Sequence, residues 1–422
     1  MATAIKPYHE CLDRLTAQLR EEGQLALVLV EASELSRVEH DYGSRAFAEV
    51  LARVSELVRD LQGEEYRNAD ELALDDRGGN GFLIFLSRPR ERQEARPRVA
   101  DLQAIAARLA AHLERRLLTL SSPYLRRRCH LPVGYGVVFH NPLVTPERVI
   151  GRLIDDAWDC VRVQKLEADF RSRERLDDLL LGRQVSTVFQ PVVDLQEGGI
   201  HAMEALSRGP LGGPYEDPVR LFEDAASADL VFEVDRHCRR AALEAARSLP
   251  SPYRLFLNVV PVSMYDPDFR GPEVVQMLAS LGLQPDRIVL ELSEQYAIES
   301  YRVFVEALRS FTQLGFRIAI DDIGAGYSGL EKIAQLDPHY LKFDMRLVRE
   351  IESSQVKREM ARALKTFAET MGSKIIAEGI ETEPERRACV ELGIHYGQGY
   401  LLGRPAPLEA FSLKSAAASS AP

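Results

Sequence analysis

Apolar positions recur at helical spacing over residues 8–22 (YHECLDRLTAQLREE) and stop at Gly23, which suits a helix C-cap. The run LALVLVEA (25–32) follows with the length of a buried strand. Helical period returns over 44–61. Two short apolar runs, LALDD (72–76) and FLIFLS (82–87), then flank RGGNG. Gly and Asn tolerate positive φ, so this segment predicts a hairpin turn. A helix over 100–118, a strand at VGYGVVF (133–139) and a helix near 146–165 come next. The basic stretch RPRERQEARPR (88–98) reads better as a solvated loop than as a binding patch. The order strand, helix, hairpin, helix, strand, helix predicts an α+β domain over 23–165, preceded by an N-terminal helix within 1–22. The charge-rich helical segment 166–182 predicts a connecting helix.

From residue 185 the rhythm changes. Short β-like runs recur at 185–193, 201–207, 253–260, 287–293, 316–323, 340–344, 374–380 and 395–402, mostly separated by helical patterns. Eight strands alternating with helices match a (β/α)8 TIM-type barrel over 183–410. An open doubly wound sheet is the alternative, disfavoured because no GxGxxG follows a strand. Residues 411–422 are low in complexity and predict a frayed tail. The fold class expected is therefore α/β, a barrel preceded by an α+β domain.

A barrel places its active site at the C-terminal ends of its strands. Seven of the eight runs carry a polar residue inside or just after the apolar stretch: Glu204, Asn258, Glu291, the pair Asp321–Asp322, Lys342, Glu378 and Gln398. Any one of them could cap a helix or face solvent. One on each of seven strands points instead to convergence. Buried carboxylates need pairing or a metal. An oxygen-rich set without Cys or His favours hard cations, Mg2+ or Mn2+, over zinc. Two such ions about 3.5–4 Å apart suit phosphate chemistry. Lys342 could orient water or stabilise developing charge. Its other reading is a structural ion-pair partner for Glu378.

Composition narrows the classes. The 422 residues are 45% hydrophobic and 28% charged, an ordinary globular mixture. With 53 Lys+Arg against 64 Asp+Glu the formal charge is −11, which disfavours a broad nucleic-acid footprint. Five scattered cysteines (11, 129, 160, 238, 389) suggest buried thiols in a reducing compartment, not a disulfide framework. No apolar stretch reaches transmembrane length, so no direct membrane insertion and a cytoplasmic location are expected.

The segment FQPVVDLQEGGIHAMEALSR, with Glu204-Ala205-Leu206, resembles the signature of EAL-domain cyclic di-GMP phosphodiesterases. Further blocks match in order: LNVVP (257–261), ELSE (291–294), DDIGAGYSGL (321–330), LKFD (341–344), AEGIE (377–381) and QGYLLGRP (398–405). The similarity runs from about 184 to 409. It implies metal coordination by Glu204, Asn258, Glu291, Asp321 and Asp322, and water activation by Lys342 and Glu378. Gln398 matches the site glutamine and Glu381 a further site carboxylate. Glu294 resembles the glutamate that holds the loop after the fifth of these runs. Gln190 and Arg208 match positions that contact the dinucleotide, an arginine being suited to phosphate. The family's usual DDFGTGYSS departs here at Ile323, Ala325 and Gly329, which predicts altered rate or regulation with the metal ligands untouched.

The first half resembles a degenerate GGDEF domain. Gly78-Gly79-Asn80-Gly81-Phe82 lacks both motif carboxylates, Glu31 stands where that family has a metal-binding Asp, and Glu39 where it has a guanine-reading Asn. GTP cyclisation is then expected to fail, leaving a regulatory or dimer-forming role. Arg67-Asn68-Ala69-Asp70 fits RxxD, but its distance from Gly78 makes it a chance match. The resemblance implies hydrolysis of cyclic di-GMP to linear pGpG with two ions, Mg2+ or Mn2+, in a homodimer, with a regulatory protein partner left open. The competing reading is a non-catalytic cyclic di-GMP receptor that signals to a partner.

Overall fold

The computed structural model describes residues 5–36, 38–39, 43–75, 81–87, 98–119, 131–293, 301–324 and 330–413. The chain divides into two compact units, Met1–Arg171 and Ser172–Pro422.

The first unit holds a five-stranded sheet of order β1-β3-β4-β2-β5. Its strands are β1 (Lys6–Pro7), β2 (Gln24–Glu31), β3 (Glu71–Leu74), β4 (Gly81–Leu86) and β5 (Val133–Phe139). Its helices are α1 (Leu12–Glu22), α2 (Ser44–Asp60), α3 (Val99–Thr119) and, as far as Arg171, α4 (Pro146–Leu181). Every residue of β2 is buried, because both sheet faces are covered. Ala26, Val28 and Val30 pack with Val50, Val54, Leu102 and Leu109 of α2 and α3. The alternating Leu25, Leu27 and Leu29 pack with Leu15 and Leu19 of α1 and Ile150, Leu153 and Ala157 of α4. Gly134 of β5 is needed where α4 crosses: a Cβ there would lie 2.2 Å from the Ala157 carbonyl oxygen. The predicted hairpin is present as antiparallel β3 and β4; Asp76–Asn80, most of its turn, lies outside the described residues. The edge strand β1 carries no readable signal, since two residues cannot show a period.

One helix, α4, stands where two successive helical segments are read from the sequence. Between Gly151 and Gly182 there is no Gly or Pro to break it, and i,i+4 pairs such as Arg171–Glu167 and Arg173–Asp177 support its exposed face. The RxxD segment has a local role: Asp70 accepts from the Arg67 and Ser87 amides, each at 2.7 Å, closing the turn before β3.

The second unit contains a closed eight-stranded barrel, β10-β11-β12-β13-β6-β7-β8-β9. These strands are β6 (Ser186–Asp194), β7 (Ile200–Arg208), β8 (Arg254–Asn258), β9 (Ile288–Ser293), β10 (Arg317–Ile323), β11 (Tyr340–Phe343), β12 (Lys374–Ala377) and β13 (Tyr396–Gly397). All eight expected runs contain a strand. The arrangement departs from an all-parallel barrel in one respect: β6 pairs antiparallel with both β7 and β13. Residues 195–199, the link from β6 to β7, are too few for a crossover and can form only a hairpin. Helices α5 (Pro218–Ser227) and α6 (Val231–Ala245) connect β7 to β8. The Asp217 side chain caps α5 by accepting from the Val219 amide, with Pro218 in the first turn.

At the start of β7, His201 stacks on Tyr396 with ring centroids 4.0 Å apart and lies 3.1 Å from the Tyr340 hydroxyl. Burial, aided by Arg254, pushes its pKa down to about 4. The folded form thus resists a proton that the unfolded chain accepts near 6.5, so stability is complete above that pH and is lost as pH falls toward 4. Urea unfolding between pH 7 and 4.5 should show a smaller acid loss for His201→Gln than for the wild type; equal losses would count against this assignment.

Candidate functional site

Each barrel strand contributes one interior residue to an apolar layer, and the residue two positions onward faces the same way. Following the strands toward their C-terminal ends, Ala202 leads to Glu204, Phe256 to Asn258, Val289 to Glu291 and Ala319 to Asp321. Likewise Tyr340 leads to Lys342, Ile376 to Glu378 and Tyr396 to Gln398. On the reversed strand the count runs backward, from Val192 to Gln190. A polar ring thus sits directly above an apolar plug. Gln190, on β6, belongs to it only because that strand is reversed.

Lys342 stands at the centre of the ring with 1% of its side chain exposed. Its Nζ donates to Glu204 Oε2 at 3.2 Å and to Glu291 Oε1, pairs with Glu378 Oε1 at 2.6 Å and lies 3.6 Å from Asp321 Oδ1. The ion pair with Glu378 anticipated from sequence is therefore present, within a larger cluster. Glu204 also accepts from Asn258 Nδ2 at 3.1 Å and from Gln398 Nε2 at 2.6 Å. Gln398 reaches Gln190 Oε1 at 3.1 Å, and Gln190 in turn donates to the Gly403 carbonyl at 3.0 Å.

One ammonium cannot neutralise this many carboxylates. Burial, and then Glu204, hold the Glu291 carboxyl well above its usual range. Burial likewise pushes Glu378 up to about 8, despite Lys342 beside it. Burial alone would lower Lys342, but Asp321, Glu204, Glu291 and Glu378 together hold its ammonium well above the usual value. Asp322 has a left-handed φ of 61°. Burial, Asp321 and Asp344 raise its carboxyl to about 6, and it shares a side-chain hydrogen bond with Asp344. Asp344 is itself fixed by Arg346, whose Nε donates to it at 2.7 Å.

The donor set fits a hard cation. Carboxylate oxygens of Glu204, Glu291 and Glu378, and of Asp321, Asp322 and Glu378, fall into two groups, each within 4.8 Å of one another. Glu291 Oε2 and Asp321 Oδ1 are buried without a hydrogen-bond donor. Such oxygens are costly unless a positive charge meets them.

The structure brings together Gln190, Glu204, Asn258, Glu291, Asp321, Asp322, Lys342, Glu378 and Gln398. Two expected site residues stand apart. Glu381 is exposed and pairs with Arg349 at 3.4 Å. Arg208, half-buried at the end of β7, turns its Nη1 back to the Ser207 carbonyl at 2.8 Å. Glu294 lies outside the described residues, as do Ala325 and Gly329. Ile323 is buried at 1% in the barrel's outer core, where one apolar side chain replaces another. Among the residues singled out in the first unit, Glu31 is buried and paired with Lys165 at 2.6 Å, and Glu39 accepts from the Ser44 hydroxyl at 2.7 Å.

Two supporting acids were not picked out from the sequence. Asp344, within the LKFD block, holds Asp322. Glu385 accepts from the Glu350, Glu381 and Thr382 amides at 2.9–3.1 Å and so ties down the segment after Glu378. The second had a legible signal, the Thr-x-x-Glu capping box beginning at Thr382.

An EAL domain profile matches residues 173–405. The chain is 30% identical over 237 residues to the probable cyclic di-GMP phosphodiesterase PdeN of Escherichia coli K12, covering 54% of this chain and 45% of that protein. It is 28% identical over 335 residues to an uncharacterized signaling protein of Caulobacter vibrioides, covering 74% of this chain and 40% of that protein. The chain thus spans less than half the length of these relatives. Among solved structures, the PaMucR phosphodiesterase in complex with c-di-GMP superposes with a TM-score of 0.52 at 26% identity, over 57% of this chain and 99% of that one. The Xanthomonas citri FimX EAL domain shares the fold, with a TM-score of 0.54 at 22% identity over 60% of this chain and 99% of that one.

Replacing Lys342 by Met should destabilise the metal-free barrel by about 3–5 kcal/mol, the usual cost of stripping one partner from a buried ion pair. The deficit should be smaller at pH 6 than at pH 8. The carboxyls are already raised above their unfolded values, so at lower pH they take up protons and cease to repel one another. Chemical denaturation at the two pH values checks both the magnitude and its sign.

Proposed function

The chain belongs to the EAL domain family, and from that premise we propose that its barrel binds cyclic di-GMP and hydrolyses one phosphodiester bond to give linear pGpG. The observation that carries this reading is the Lys342–Glu378 pair, 2.6 Å apart, within a carboxylate ring that retains every ligand the family resemblance implies. Glu204, Asn258, Glu291, Asp321 and Asp322 would hold two ions, Mg2+ or Mn2+. When bound, those ions would lower the pKa of water and offset charge on the phosphate.

The protein's own groups supply the rest. Glu378 Oε1 is placed to take the proton of an attacking water. Burial raises its carboxyl above the usual range, which makes it a stronger base than an ordinary carboxylate. Lys342 Nζ orients that water and faces the charge that develops on the phosphoryl oxygens. Gln398 and Asn258 fix Glu204 from two sides, so its carboxylate needs no reorganisation during the reaction. Gln190 and Arg208 would contact the dinucleotide, with Arg208 turning from the Ser207 carbonyl toward a phosphate. Glu381 and Glu294 belong to the proposal as a further site carboxylate and a loop anchor.

The first unit, with GGNGF in place of GGDEF, is proposed to be a regulatory domain that does not cyclise GTP. A homodimer, a cytoplasmic setting and control by a protein partner complete the reading. Purified protein incubated with cyclic di-GMP and Mg2+ or Mn2+ should release linear pGpG. Glu378→Ala and Lys342→Ala should each lower kcat by at least 100-fold. Tight cyclic di-GMP binding by the wild type without product would replace the enzyme with a receptor.

A further inference from the structure

A second buried ionic cluster lies outside the carboxylate ring. Arg239 of α6 is 2% exposed, Asp235 2% and Asp266 1%. Arg239 Nε donates to Asp235 Oδ2 at 2.7 Å, and its Nη2 donates to Asp266 Oδ2 at 2.9 Å. The guanidinium also lies over the Phe269 ring, 4.3 Å from its centroid. Arg236, 31% exposed, approaches Asp266 from the rim at 3.5 Å.

The remaining oxygens of the two carboxylates turn to the backbone that follows β8. Asp235 Oδ1 accepts from the Val260 amide at 3.3 Å, and Asp266 Oδ1 accepts from the Asp268 amide at 3.0 Å. Just before them the Val259 amide donates to the Glu291 carbonyl at 3.1 Å. The segment fixed in this way begins at Asn258, whose amide donates to Glu204 in the ring. A buried acid–base–acid triad is a poor source of stability, since apolar replacements of similar volume are often neutral or stabilising. Its bonds here fall on the two ends of one loop, and one end carries a site residue.

We propose that Asp235, Arg239 and Asp266 are positioning residues that set the loop after Asn258 and so hold the Asn258–Glu204 edge of the ring in its cation-binding geometry. This deepens the reading of the ring as a cation site and rests on it. An exposed pair between the same helix and loop provides a control: Arg240 and Asp268 lie 3.1 Å apart with side chains 50% and 55% exposed. Exposed pairs contribute little, so that pair should be dispensable.

The test uses the full chain carrying D235N, R239Q and D266N together. D235N and D266N keep size, R239Q removes the guanidinium fork, and together they leave no buried charge unpaired. R240Q is the control. Mn2+ affinity is read by calorimetry, and loop order by amide hydrogen exchange at Val259 and Val260. We expect a cooperatively folded triple variant with Mn2+ affinity reduced at least fivefold and exchange at both amides raised at least tenfold. R240Q should match the wild type in both. R239K, which keeps the charge but not the fork, should recover part of the affinity. Wild-type exchange at these amides in the triple variant, or Mn2+ affinity within twofold of wild type, overturns the proposal. If the triple variant fails to fold, the R239K single variant decides: unchanged exchange and affinity there overturn it equally. A wild-type protein that takes up no Mn2+ overturns the cation reading, and with it the coupling proposed here. Mn2+ uptake without hydrolysis overturns only the enzyme reading.

Discussion

The barrel's interior depends on one ammonium. Lys342 is surrounded by Glu204, Glu291, Asp321 and Glu378, and a single positive charge must serve them all. Bulk solvent screens the centre of the cluster poorly, because Lys342 and Glu291 are each only 1% exposed. Burial, reinforced by the neighbouring carboxylates, raises the carboxyls of Glu291 and Glu378. This stress is what makes the ring receptive to further positive charge, and it is local to one layer. The aromatic and aliphatic residues directly beneath exclude solvent and keep the effective dielectric low.

That layer exists because the strands are in register. Two residues along a strand restore the same face, so an apolar interior position on each strand is followed at the mouth by a polar one. The reversed first strand obeys the same rule in the opposite sense, which puts Gln190 against Gln398 across a spacing of 208 residues. A barrel with all strands parallel would have turned another part of β6 toward the mouth. The short hairpin between β6 and β7 therefore has a chemical consequence, since it supplies the partner that orients Gln398 toward Glu204.

Around the ring, precision is delegated to further acids. Asp344 holds Asp322, Glu385 gathers two backbone amides after Glu378 and that of Glu350, and Asp235 and Asp266 hold the chain after Asn258. Each is a carboxylate spent on backbone N–H groups or on an arginine. Charge-assisted hydrogen bonds of this kind are shorter and more directional than neutral ones. The site residues thus rest on strand ends whose outgoing loops are fastened at their first turn.

The amino-acid sequence by itself determined the two-part organisation, the eight barrel strands and eight of the nine residues that meet in the ring. Period-2 and period-3.6 patterns survive in a linear chain, and polar residues ending apolar runs are visible there; Gln190 was found only through the family resemblance. Tertiary structure decided the rest. The pairing of β6 with β13, which closes the barrel, joins residues more than 200 apart. Glu381 and Arg208 carry the right side chains in matching motifs, yet the first faces solvent beside Arg349 and the second bends back onto the Ser207 carbonyl. Sequence shows which groups a chain owns; their pKa values and partners follow from burial, and burial is a property of the fold.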